Sequence, residues 1–168
     1  MFFQNVGIGI ASLTFGVALS IFIYSASTVV HGTSAWFLFT TSFLLMLRFW
    51  WRYTTLFVQY FPSQRFWQFV LDFAISFFGI LSVLFVKDIR MWTLLIGAAM
   101  LASILRCLTG KAAGVVKLAI RRTYFGAIGM LAIMAIAYTV APMITHNILA
   151  GIILALVLVF VIYSAKKQ

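Results

Sequence analysis

The run from Ile148 to Tyr163, ILAGIILALVLVFVIY, holds no charged side chain and reaches its first polar group at its last residue. Comparable apolar segments recur along the chain, at about 6–24, 35–60, 66–86, 91–108, 124–141 and 147–164. Segments of this length and polarity suit a hydrocarbon solvent. There every backbone N–H and C=O must be bonded within the protein, which leaves helices or a closed barrel. Barrel strands alternate apolar and polar residues, and these runs do not. The fold class is therefore all-α: a polytopic integral membrane protein of six transmembrane helices, forming one domain over 1–168. Composition agrees. The chain is 65% hydrophobic and 8% charged, whereas a soluble domain carries about a quarter charged residues. It has too few polar groups to cover a surface facing water.

Local punctuation supports the divisions. FPSQR separates the second and third segments, and Pro62 cannot continue a helix. VKDIR, LTGKAAGVVKLAIRR and VAPMITHN separate the third to the sixth, the second of these being the longest polar connection. Short connections predict antiparallel neighbours. The amino-terminal MFFQNVG lacks the positive stretch of a signal peptide, so 6–24 reads as a retained first span.

The basic residues are unevenly placed. Arg48, Arg52, Arg65, Arg106, Lys111, Lys117, Arg121, Arg122, Lys166 and Lys167 fall on one side of a six-span layout, and Lys87 and Arg90 on the other. The positive-inside rule then puts both termini in the cytoplasm. In a soluble protein a net charge of +10 would suggest nucleic acid. Between apolar runs it points instead to a bilayer with anionic lipid on its cytoplasmic side, and no nucleic-acid partner is expected.

No catalytic constellation stands out, so no enzyme, cofactor or metal is expected. Asp72 and Asp88 are far apart, each has basic neighbours, and they make a poor acid–base pair. His31 and His146 fall in outer connections without a nearby carboxylate or thiol; solvated histidines fit better than a metal site. GIGIAS at 7–12 lies inside an apolar span with no preceding strand, so it is not a dinucleotide loop. Cys107, beside Arg106 at a helix end, reads as an inert thiol, with acylation the alternative.

Two constellations carry more. Ser12, Gly16 and Ser20 repeat every four residues and share one face of the first helix. That face is a close-packing seam or a water-facing surface, and spacing alone favours the seam. LRFWWRYTTLF, from Leu47 to Phe57, places Arg48 and Arg52 one turn apart inside an apolar span. A charge at that depth costs roughly 2.5–3.5 kcal/mol, so it faces protein, water or a partner. Asp72, early in the third span, lies at a matching depth, which allows an internal pair with Arg52 or Arg48. The alternative is that both arginines snorkel to the interface among Trp50, Trp51 and Tyr53.

SFLLMLRFWWRYTTLF and WQFVLDFAISFFGILSVLF resemble the second and third spans of the transmembrane protein 175-like potassium-channel family. The cues are Ser42-Phe43-Leu44, Phe49-Trp50, Phe57, Trp67, a polar Asp72 where the family usually has Asn, and Phe77-Phe78. Arg121-Arg122 opening the fifth segment and Pro142 closing it also fit. The first segment departs from the family, lacking both its basic residue and its Phe-Ser-Asp motif. The resemblance implies a single six-helix repeat that assembles as a homotetramer in a prokaryotic plasma membrane. It further implies a potassium-type cation channel whose first helix lines the pore through Ile8, Ser12, Phe15, Gly16 and Ser20. The competing expectation is a non-catalytic integral subunit of a larger membrane complex. A small secondary transporter fits less well, because no inverted repeat or paired broken helices appear.

Overall fold

The structure is a computed structural model that describes residues 2–57, 66–109 and 114–165, with side chains at 13, 15–55, 66–109 and 117–162. Nearly all of the described residues are helical, and no strand occurs among them. Six α-helices follow one another: α1 (Phe2–Thr28), α2 (Thr33–Arg52), α3 (Phe66–Leu84), α4 (Ile89–Leu108), α5 (Gly114–Val140) and α6 (His146–Ala165).

The ends of these helices have local causes. Gly32, at φ 89°, turns the chain into α2 through a backbone conformation that a side chain would resist. Asp88 caps α4, its Oδ1 accepting from the backbone N–H of Arg90 at 3.0 Å and of Met91 at 3.1 Å. Beyond Arg52, α2 widens into a π-helical turn at Tyr53–Phe57. Thr54 donates to the Trp50 carbonyl at 3.0 Å and Thr55 to that of Trp51 at 2.7 Å. These bonds serve carbonyls near the end of α2, where the regular ladder gives way. The second apolar segment thus ends as an α-helix earlier than expected; its residues 58–60 and the Pro62 break lie outside the described residues.

The long polar connection is shorter than the sequence suggests at its far end, where α5 begins at Gly114 and not near 124. Arg106 lies in the last turn of α4, and Lys117, Arg121 and Arg122 ride on the first turns of α5. Lys and Arg are good helix formers, and the exposed face of a helix accepts them without cost to its backbone.

α4 packs between α3 and α5, while α2 packs along α6 and also meets α3. α1 lies against α3 and α2. The main core joins Leu38 and Leu45 of α2, Trp92 and Ile96 of α4, Met130 and Met134 of α5, and Ile153 and Val157 of α6. A second cluster joins Ala18 and Phe22 of α1 to Met46 and Val83.

Polarity is distributed the wrong way round for water. Thr41, Ser42, Gln68, Asp72, Ser82, Thr93 and Arg106 are buried, while Leu13, Ile23, Phe66, Trp67, Ile136 and Val159 are well exposed. Phe66–Leu84, Ile89–Leu108 and Lys117–Val140 are long and apolar enough to cross a membrane. Phe15–Thr28 and His146–Ile162 are apolar but shorter within the described residues. An outward apolar shell around polar interior groups is what a lipid solvent selects.

Candidate functional site

α1 presents two unlike faces. Phe15, Ala18 and Phe22 point into the protein: Phe15 stacks on Trp50 at 4.4 Å between centroids, and Phe22 meets Phe39 and Phe43 edge-on. Leu13, Gly16, Val17, Ser20 and Tyr24 face outward and, with Ile21 and Leu84, line a shallow open depression. A Cβ placed on Gly16 would meet nothing within 4 Å. The small residues here are therefore not a packing seam inside the chain. Ser20 donates its hydroxyl proton to the Gly16 carbonyl at 3.0 Å, so the oxygen's remaining capacity is as an acceptor. Of the five residues expected along a pore, Gly16 and Ser20 share this outer face, and Phe15 lies on the inner one. The side chains of Ile8 and Ser12 lie outside the described residues.

The buried charges gather at the other end of α2. Arg48, Arg52 and Asp72 all line one small cavity of about 80 Å³ between α2, α3, α4 and α5. The ion pair of Asp72, however, is with Arg106, whose Nε donates to Asp72 Oδ1 at 2.9 Å. The expected partner was Arg52 or Arg48. The difference follows from the packing: α3 runs beside α4 along its length, and there Gln68 Nε2 also donates to the Thr109 carbonyl at 3.0 Å. Arg106, near the end of the expected 91–108 segment, is only 1% exposed. Arg52 is 9% exposed, and its Nε has no hydrogen-bond partner. Arg48 lays its guanidinium over the Phe160 ring at 5.0 Å. Arg48 is half-buried, whereas the burial of Arg52 is not what simple snorkelling would give. Cys107 is buried beside Ile120, Tyr53 and Tyr124, a poor position for acylation.

A polar chain that the sequence did not reveal ties α2, α3 and α4 together. Trp92 Nε1 donates to Ser42 Oγ at 2.8 Å, and Ser42 and Ser82 share a bond at 3.2 Å. Ser82 also donates to the Gly79 carbonyl at 2.7 Å. A hydroxyl has one proton, so Ser42 must be the donor to Ser82. The chain therefore runs one way, from the Trp92 indole through Ser42 and Ser82 to Gly79. The only sequence signal was small hydroxyl residues within apolar spans.

His31 and His146 are exposed, one following α1 and the other opening α6. No group of three metal-ligating side chains comes together among the described residues. No protein-family model, curated protein or solved structure matches the chain.

Proposed function

We propose that the chain is a six-span protein of a prokaryotic plasma membrane, with both termini cytoplasmic, that assembles as a homotetrameric potassium-type cation channel. The outward face of α1, lined by Gly16 and Ser20, faces the central axis. The observation that carries this reading is the state of that face. Among the described residues nothing covers it, with Leu13 71% and Tyr24 63% exposed and no atom within 4 Å of a Cβ placed on Gly16. With its proton held by the Gly16 carbonyl, Ser20 offers lone pairs outward, the polarity that suits a cation or its hydration water. Support for the orientation comes from the arginines. Arg52, Arg106, Arg121 and Arg122 gather at one end of the bundle, while His31, Asp88 and His146 lie toward the other. The resemblance of the second and third spans supplies the choice of potassium and of four subunits.

A second reading has its own observation. Besides Ser20 the face is largely apolar, with Leu13, Val17, Ile21 and Tyr24, which also suits a helix from another protein. On that reading the chain is a non-catalytic subunit of a larger membrane complex. Reconstitution separates the two. The channel reading expects potassium flux from liposomes carrying the purified protein. It expects Ser20→Leu to leave the oligomer intact and to reduce flux at least about tenfold, the equivalent of 1.4 kcal/mol on a barrier. An absence of flux from the well-folded protein, together with co-purification of a different chain, would replace the channel with the subunit.

A further inference from the structure

A second, larger cavity of about 520 Å³ opens between α2, α5 and α6. Its walls have two parts. Arg48, Arg52, Arg121 and Arg122 surround one part, and Gly129, Met130 and Ile133 are among the apolar residues of the other. Along α5 the lining reaches from Arg121 to Ile133, which is roughly 18 Å at about 1.5 Å per residue. The cavity is thus an elongated slot, cationic at the end of the bundle and apolar toward its middle.

Among the described residues, no acidic side chain lines the slot beside Arg48, Arg52 and Arg121. Asp72 and Asp88 are the two acidic side chains. Asp72 accepts from Arg106, and Asp88 caps the opposite end of α4. Neither aspartate is part of the slot's lining among the described residues. A buried guanidinium needs a counter-charge or hydrogen-bond acceptors, and the Nε of the deeply buried Arg52 has no partner. Arg121 lies over the Phe125 ring at 5.6 Å and Arg48 over the Phe160 ring at 5.0 Å. Stacking on a ring holds a guanidinium flat and leaves its N–H edge for an oxyanion. The apolar part is open as well: a Cβ on Gly129 would meet nothing within 4 Å.

We propose that this slot binds an anionic phospholipid, its phosphate held by the arginines and one acyl chain lying along α5 past Gly129. A free phosphate would satisfy the cationic end and leave the apolar end without purpose, whereas a lipid fills both. The site does not depend on whether α1 lines a pore.

The test uses full-length protein in detergent and native mass spectrometry, with phosphatidylglycerol, phosphatidylcholine and inorganic phosphate as separate probes. Phosphatidylglycerol should be retained at least about tenfold more strongly than phosphatidylcholine, about 1.4 kcal/mol of selectivity. Arg52→Gln should remove most of that preference. Should Arg52→Gln fail to fold, Arg121→Gln, at an exposed position, should still weaken it several-fold. Gly129→Leu should weaken phosphatidylglycerol about tenfold by filling the acyl end, and leave any binding of inorganic phosphate unchanged. Equal retention of the two lipids would overturn the proposal. So would an unaltered Gly129→Leu variant, or displacement of phosphatidylglycerol by inorganic phosphate at equal concentration.

Discussion

At the scale of single residues, the Asp72–Arg106 pair is the strongest local constraint. Both side chains are buried, and the carboxylate meets Nε at 2.9 Å. Forming such a pair from water costs nearly as much as it returns, but breaking one leaves a charge stranded in a medium of low polarity. Asp72→Ala should therefore lower stability by about 3–5 kcal/mol. Asp72→Asn keeps an acceptor oxygen for Nε and should cost clearly less. The double variant Asp72→Ala/Arg106→Ala should be less unstable than the sum of its parts, because the second change removes the charge that the first one strands. Thermal unfolding in detergent measures all of these. Strict additivity would show that the two groups do not depend on each other.

At the scale of elements, the directed chain from Trp92 to Gly79 sets how α2, α3 and α4 meet. Trp92 is fully buried, so its indole N–H depends on Ser42 for an acceptor. Ser42→Ala strands that donor, which should cost about 1–3 kcal/mol. Ser82→Ala strands less. Ser42 can turn its proton to its own helix, and Trp92 keeps its acceptor, so about 1 kcal/mol or less is expected. Measured unfolding of the two variants gives the order, and an equal or reversed order would mean that the Trp92 N–H does not depend on Ser42 for its acceptor. The contact of α5 with α6 is of a different kind. A Cβ on Gly126 would come within 2.8 Å of the Phe160 ring, so that glycine is what lets the ring lie against α5 beneath Arg48.

For the whole molecule, the inverted distribution of polarity and the crowding of arginines at one end together predict orientation. Cys107 is buried, which leaves a quiet background for introduced thiols. Met143, 83% exposed in the turn between α5 and α6, would lie at the outer end on the proposed topology. Lys117, exposed near the start of α5, would lie at the inner end on the same topology. In intact cells an impermeant maleimide should label Met143→Cys and spare Lys117→Cys, which should react only after permeabilisation. The opposite pattern would invert the protein in the membrane and place the arginine slot against the outer leaflet.

Helical structure, an apolar solvent and the approximate breaks between segments were legible from residue order, because each depends on the length and polarity of a local stretch. The side-chain periodicity also identified a face of α1 shared by Gly16 and Ser20. It could not say what that face meets, since periodicity defines faces within a helix and is silent about neighbours. The same limit explains Asp72. Depth along two helices matched it to Arg52, but the packing of α3 on α4 brought Arg106 instead, a residue that the sequence placed at a helix end without a partner in view. Only the tertiary arrangement decided that Phe15 points inward, that Trp92 reaches Ser42 fifty positions earlier, and that α2, α5 and α6 leave a slot beside four arginines. Each of these depends on which helices touch, a choice made by packing surfaces distant in sequence and not by any one segment's composition.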